Sequence, residues 1–271
     1  MNYDQNLHTH TAFSDGKDQM EDMVKHAIKL GFKSIGFSDH ANMGFEVTGA
    51  MTSENVVKSL QTSKALKEKY DGQISIFCGL ENDLFSTQDL SPYDYVIGSC
   101  HCLIKDGEII EFDGKKDHVK GVIDRLFNGN GLDFAECYYS TFSRLAETSR
   151  IDIVGHADLV TKHAEREQFF DCDGKAYKEF ALKAIKKVFE RCQVFEINTG
   201  AIARGYKTAP YPAPFIMQEL KRLGAKMVIS SDCHDKNFLD CQFDSALSYA
   251  KSFGFDKIYK FDGNFFVGFD L

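Results

Sequence analysis

The sequence predicts an α/β fold built on a parallel sheet, and three observations lead there. Short apolar β-like runs alternate with longer helical patterns along the whole chain. Several of those runs, among them Ile151-Asp152-Ile153-Val154 and Met227-Val228-Ile229, are nearly continuous, as strands covered on both faces must be. An open nucleotide-binding sheet carries a Gly-rich loop after its first strand, whereas here Leu7-His8-Thr9-His10-Thr11 stands in that place. Alternation alone suits a closed barrel or an open, doubly wound sheet; the missing loop weighs towards the barrel. The 271 residues are 43% hydrophobic, with 24 Phe and no Trp, enough for one large core. Only four Pro occur, three of them between Pro210 and Pro214, so no Pro-rich linker divides the chain and residues 1–271 read as one domain.

Taken in order, the expected strands are Gln5–His10, Ser34–Asp39, Ile74–Leu80, Tyr95–His101, Asp152–His156, Val194–Asn198 and Met227–Ser231. Between the first two, Met20, Met23, Val24, Ala27 and Ile28 recur at helical spacing and stop at Gly31, which predicts a helix over Met20–Leu30. Ser53–Tyr70 opens on Thr52-Ser53-Glu54 and closes before Asp71-Gly72, a capped helix. Asp133–Ser149, Lys175–Arg191, Pro212–Leu223 and Phe238–Phe253 complete the series. The rhythm breaks only at Leu103–Gly131, long and polar, which predicts a hairpin and a helix over one mouth of the barrel.

The formal charge of −8 argues against a nucleic-acid partner, since backbone binding needs a basic surface. Bound divalent cations would reverse that sign within a carboxylate-rich site. No apolar run approaches the roughly 20 residues that span a bilayer. Met1 to His10 is polar and leads straight into a candidate site, so it does not read as a signal peptide. Eight cysteines without paired spacing read as reduced thiols in a cytosolic protein.

The informative pattern is where the nine histidines fall. His8, His10, His40, His101, His156 and His234 sit at the C-terminal ends of expected strands, which in a closed barrel converge on one face. In His8-Thr9-His10 the two imidazoles are two residues apart on a strand and share a face, with Thr9 turned away. Asp232-Cys233-His234 repeats the arrangement after the last strand. Imidazole and carboxylate together suit Zn, Mn or Fe. Glu81, directly after Ile76-Phe77-Cys78-Gly79-Leu80, is the natural carboxylate to bridge two ions. Each piece has a plainer reading alone: His40 could cap a turn, and His101 and His156 could be satisfied near strand ends. All of these would have to hold together to dissolve the cluster. His26, His118 and His163, in a helix, at a helix start and in a loop, receive the plain reading.

Cys100-His101-Cys102 invites a thiolate site, but alternation turns both cysteines away from His101, and Cys233 away from Asp232 and His234. Core packing is the expected role of these thiols. The same parity sets Asp39 opposite His40 and keeps Asp158 beside His156, where it could orient that ring.

In combination, His8-Thr9-His10 with Phe13-Ser14-Asp15-Gly16, Ser38-Asp39-His40, Gly79-Leu80-Glu81, Gly98-Ser99-Cys100-His101, Gly155-His156-Ala157-Asp158 and Ser231-Asp232-Cys233-His234 resemble the PHP (polymerase and histidinol phosphatase) superfamily, in the right order over nearly the whole chain. Length, the Glu136–Tyr139 segment and Glu196-Ile197-Asn198-Thr199-Gly200 look most like its stand-alone histidinol-phosphate phosphatases. The resemblance implies a distorted (β/α)7 TIM-like barrel with three divalent metal ions. His8, His10, Glu81 and Asp232 would hold the first, Glu81, His101 and His156 the second, and Asp15, His40 and His234 the third. Some relatives carry histidine where Asp15 stands.

The implied activity is hydrolysis of L-histidinol phosphate in histidine biosynthesis, with a metal-bridging hydroxide attacking phosphorus. Asp232 or His234 is the candidate proton carrier to the leaving alkoxide. Arg204 and Lys162 follow strands on the active-site side and are candidate phosphate contacts, with Tyr139, Tyr206 and Asn198 lining the rest of the pocket. The partner is therefore a small phosphomonoester, not nucleic acid or membrane. Rival classes are a nucleotide phosphatase or nuclease on the same fold, an amidohydrolase with a carboxylated lysine, and a non-catalytic module. The acidic balance opposes the first, Glu81 in the bridging place the second, and the complete set of ligand positions the third.

Overall fold

The computed structural model describes residues 3–271. In chain order its elements are β1 (Gln5–Asn6), α1 (Met20–Leu30), β2 (Ser34–Phe37), α2 (Ser53–Lys69), β3 (Ser75–Asp83), β4 (Tyr95–Ser99), β5 (Cys102–Lys105), β6 (Glu108–Glu111), α3 (Lys116–Leu126) and α4 (Gly131–Phe142). There follow β7 (Ile153–Val154), α5 (Lys175–Arg191), β8 (Val194–Asn198), the short α6 (Gly200–Ala203), α7 (Pro214–Leu223), β9 (Lys226–Ser230), α8 (Phe243–Ser252), β10 (Lys257–Phe261) and β11 (Phe266–Asp270).

Seven strands pair in parallel in the order β1-β2-β3-β4-β7-β8-β9. Among the described residues the ring is closed at its C-terminal rim, by a parallel bridge between Thr9 and Cys233. There His10 N–H donates to the Cys233 carbonyl (2.8 Å) and Cys233 N–H to that of His8 (3.1 Å). This is a distorted, nearly closed (β/α)7 barrel, and the residues that close it flank His8, His10, Asp232 and His234. Inside, the Tyr95 ring fills the barrel against Gly36 and Gly79, where any Cβ would strike it, and its hydroxyl donates to the Leu7 carbonyl.

The expected elements are largely where periodicity sets them, and α1 and α5 have the expected bounds. Gly31 ends α1 at φ 82°, and Thr52 Oγ1 accepts from Asn55 N–H to cap α2. The helix expected over Asp133–Ser149 instead begins at Gly131, where Asn130 caps it, and tightens at Ser143 into a 3-10 turn. The last expected helix starts at Phe243, behind a 3-10 turn capped by Asp235. Leu103–Gly131 contains the expected hairpin, β5–β6, and helix α3.

The β10–β11 hairpin lies outside the expected elements. Gln5 bonds both backbone groups of Phe261, whose ring packs on Phe77 and Tyr95 at 5.1 and 5.7 Å, so the hairpin covers the N-terminal end of the barrel. Its signal was Asp262-Gly263-Asn264, where Asp262 accepts from the N–H groups of Asn264 and Phe265. Among the described residues no helix is long and apolar enough to cross a membrane.

Candidate metal centre

The strand ends bring His8, His10, Asp15, His40, Glu81, His101, His156, Asp232 and His234 into one cluster at the C-terminal rim. Glu81, 1% exposed at the inner face of β3, is its middle. One of its oxygens, Oε1, lies 2.9 Å from His156 Nε2 and 3.4 Å from His101 Nε2. The other, Oε2, lies 2.9 Å from His40 Nδ1, 3.3 Å from His8 Nε2 and 3.4 Å from His10 Nε2. Asp232 Oδ1 stands 3.3 Å from His10 Nε2, and Asp15 Oδ2 3.2 Å from His234 Nε2.

Four overlapping groups have the donor types and closeness to hold a cation: His10, Asp15, His40 and His234; His8, Glu81 and His156; His8, His10 and Asp232; and His40, Glu81 and His101. Asp15, His40 and His234 therefore stand together, as expected, but with His10 beside them. His8, His10 and His40 each belong to two groups, so these donors do not separate into three isolated sets. His8 Nε2, both ring nitrogens of His10 and Glu81 Oε2 are buried and make no hydrogen bond. Buried polar atoms are normally paired, and this concentration of unpaired lone-pair donors fits divalent ions.

The electrostatics follow from burial and crowding. Burial, then the neighbouring His234 and His40, pushes the His10 imidazole down to about 3. Burial is the largest single influence on His40 and works against its charge, but the Glu81, Asp15 and Asp232 carboxylates together outweigh it and lift it to about 10. Burial opposes ionisation of Glu81 and Asp232 too. The histidines around Glu81, and Arg204 with His8 beside Asp232, nonetheless hold both well below the usual carboxylate range.

Local backbone sets several of these groups. Asp232 takes φ 45°, a region non-glycine residues seldom occupy, and strain of this kind gathers at functional sites. Gly200 lets it approach: a Cβ there would meet Asp232 Cβ at 2.8 Å. Asp15 sits on a loop whose Gly16 lies against the His10 carbonyl, leaving no room for a side chain. Asp39 holds that loop by accepting from Thr11 N–H (2.6 Å), Thr11 Oγ1 (2.8 Å) and Ser14 Oγ (2.6 Å).

The expected substrate contacts divide. Arg204 points into the cluster, with Nη2 2.9 Å from Asp232 Oδ2 and Nη1 2.9 Å from His234 Nδ1. Lys162 pairs with Asp113 at 2.7 Å and lies over the Tyr206 ring. Asp113 borders a cavity of about 190 Å³ that Asp15, His40, His101, Met43, Val47 and Glu111 also line. Tyr139 is a correction: it faces the α4–α5 packing, 1% exposed, and its hydroxyl bonds that of Tyr177 at 2.9 Å. Asn198 is another, because both ends of its amide are taken, by Glu196 Oε1 (2.7 Å) and Gly200 N–H (2.8 Å). Asp158 does not orient His156; it accepts from Ala213 N–H at 3.0 Å.

Two carboxylates were missed as site residues. Asp83 Oδ2 accepts from His101 N–H at 2.7 Å and lies 3.3 Å from its Nδ1. Glu196 Oε2 lies 2.9 Å from His8 Nδ1. Parity was the available signal for Asp83, two residues beyond Glu81 on one strand. Cys100, Cys102 and Cys233 are buried, and all eight cysteines are free. His118 and His163 bond the carbonyls of Glu111 and Gly114 rather than joining the cluster.

Comparison with known proteins agrees with this geometry. Relatives include the probable histidinol-phosphatase of Schizosaccharomyces pombe, 25% identical over 261 residues (87% of this chain, 81% of that one). The histidinol-phosphatase of Bacillus subtilis is 25% identical over 250 residues (84% and 92%). The hisK protein of Listeria monocytogenes shares the fold at a TM-score of 0.77, with 22% identity, over 89% of this chain and 99% of that one. So does the histidinol phosphate phosphatase of Lactococcus lactis, solved with zinc, L-histidinol and phosphate, at 0.73 and 20% over 97% and 98%. The PHP domain profile matches residues 6–200, from the first strand to the glycine beside Asp232, and with the strand-end cluster it places this chain in the PHP domain family.

Proposed function

We propose that the chain, acting over residues 1–271 as one phosphoesterase barrel, hydrolyses L-histidinol phosphate to L-histidinol and phosphate with three divalent ions, zinc, manganese or iron. The observation that carries this reading is the clustering of nine His, Asp and Glu side chains with Glu81 at their middle, four of their nitrogen and oxygen atoms being buried without a partner. The histidinol-phosphatase relatives support the substrate, aligning over 84% or more of the chain, and the zinc, L-histidinol and phosphate of the Lactococcus structure support ligand and metal. Eight free cysteines suit a reducing, cytoplasmic setting.

In this reading His8, His10, Glu81 and Asp232 hold one ion, Glu81, His101 and His156 a second, and Asp15, His40 and His234 a third. When bound, such ions acidify water and neutralise charge on a phosphoryl group. Arg204, beside Asp232 and His234, presents its guanidinium where a phosphate at the cluster would lie, and Lys162 adds charge from the Asp113 side. Asp232 or His234, both at the Arg204 edge, would pass a proton to the leaving alkoxide. The cavity bordered by Met43, Val47, Glu111 and Asp113 offers apolar walls and carboxylates to a cationic alcohol.

The test is metal analysis of the purified protein with turnover of a phosphomonoester panel. Two or three ions per chain and preference for histidinol phosphate are expected. Fewer than two ions in fully loaded protein would reject the reading, and faster turnover of nucleotides would reassign the substrate. Glu81→Ala should abolish turnover together with binding of the two ions assigned to Glu81; full metal occupancy in that variant would remove Glu81 from the bridging role.

A further inference from the structure

Glu196 lies outside the nine candidate ligands, yet it touches His8 and His156 directly. It is 2% exposed, on β8. Its Oε2 lies 2.9 Å from His8 Nδ1 and accepts from Ser230 Oγ at 2.6 Å. Its Oε1 accepts from the backbone N–H of His156 at 2.7 Å and from Asn198 Nδ2 at 2.7 Å. One carboxylate thus joins β8 and β9 to the residues just past β1 and β7, and touches two of the candidate ligand residues directly.

The chemistry of these partners leaves little freedom. An ionised carboxylate has only lone pairs to offer, so the His8 nitrogen facing it must carry the proton. The other nitrogen, Nε2, then turns a lone pair towards Glu81 and Asp232, at 3.3 and 3.8 Å, and this is the atom that has no hydrogen-bond partner. At the second oxygen the His156 backbone is fixed directly after Gly155, a position packed so closely that a Cβ would strike Ser99 Oγ at 2.5 Å.

We infer that Glu196 is a positioning residue for the metal centre: it locks His8 in the Nδ1–H tautomer with Nε2 free for metal, and at the same time sets the backbone of His156. This rests on the cluster being a metal centre, and the test separates the two. Glutamine at this position cannot accept all four donors, because its NH2 would face at least one of them. Glu196→Gln should therefore lower zinc affinity about 10- to 100-fold, measured by competition with a chelating indicator. Its metal-free far-UV spectrum should match the wild type, and excess zinc should restore most of kcat with KM unchanged. Neither rescue by zinc nor an unchanged KM follows from a general folding defect.

A second measurement needs no variant. In zinc-loaded wild-type protein labelled with 15N-histidine, the His8 ring should show its proton on Nδ1. Wild-type affinity in Glu196→Gln, or a His8 proton on Nε2, would overturn the assignment of Glu196 alone. Wild-type protein that binds no zinc would overturn the metal centre and this assignment with it.

Discussion

Arg204 forks onto Asp232, with Nη2 2.9 Å from Oδ2 and Nη1 3.0 Å from the backbone carbonyl and 3.3 Å from Oδ1. The fork grips a residue at φ 45° that is also a candidate ligand, and the same Nη1 reaches His234 Nδ1 at 2.9 Å. One guanidinium is thereby placed against two donors of the cluster, and in the proposed function it is the phosphate contact. Arg204→Ala removes a charge-assisted contact of roughly 1.5–3 kcal/mol. We expect kcat/KM for a phosphomonoester to fall by about 10- to 100-fold, and inhibition by inorganic phosphate to weaken. Lysine should recover little, since it lacks the fork. Unchanged steady-state kinetics in the alanine variant would remove Arg204 from the phosphate site.

Gly16 connects a steric detail to metal occupancy. A Cβ there would run into the carbonyl of His10, so the loop that carries Asp15 must move. Gly16→Ala is expected to destabilise the fold by about 1–3 kcal/mol and to lower occupancy of the ion proposed for Asp15, His40 and His234 before the others. Thermal unfolding and metal stoichiometry read the two effects separately. A variant with wild-type stoichiometry would show that Asp15 is not needed as a ligand.

Tyr139 gives the opposite expectation. Its hydroxyl bonds Tyr177 inside the helix packing, and Tyr177 is itself fully buried. Tyr139→Phe should cost about 1 kcal/mol and lower the melting temperature by about 2–4 °C, with KM and kcat unchanged. A raised KM would return Tyr139 to the substrate pocket.

The contrast between Tyr139 and the histidines shows what a single sequence carries. Strand ends in a closed barrel converge whatever lies between them, so His8, His40, His101 and His156 could be grouped from position alone. Tyr139 is on α4, where nothing local distinguishes the helix face turned to the barrel from one turned to a neighbouring helix; packing against Tyr177 decided it. Asn198 ends an expected strand and was expected to line the pocket, but its amide is committed to Glu196, a pairing two residues away that composition does not reveal. Glu196 itself read as part of a motif rather than as a group touching His8, because that contact spans 188 positions. The terminal hairpin was missed for a different reason: its turn signal is clear, yet the barrel pattern was already complete at β9.

The last expectation concerns pH. In metal-free protein Glu81, Asp15 and Asp232 hold His40 protonated up to about 10, while His10, buried among histidines, is down at about 3. A metal needs a neutral imidazole, so ions entering at neutral pH must displace the His40 proton. Affinity should rise between pH 6 and 9 by about tenfold per unit for each proton displaced, and His10, already neutral throughout, contributes nothing there. The stability of the metal-free protein should run the other way. His40 is raised above its unfolded value of about 6.5, so its contribution is fully present below that value and is lost as pH rises through about 10. Zinc competition titrations across this range, with calorimetric heats in buffers of different ionisation enthalpy, count the protons. Metal-free melting temperatures over the same range check the opposing trend. Against burial, carboxylates that include Glu81 raise His8 and His101 too, so affinity that does not change between pH 6 and 9 would mean that none of these three histidines gives up a proton to an ion.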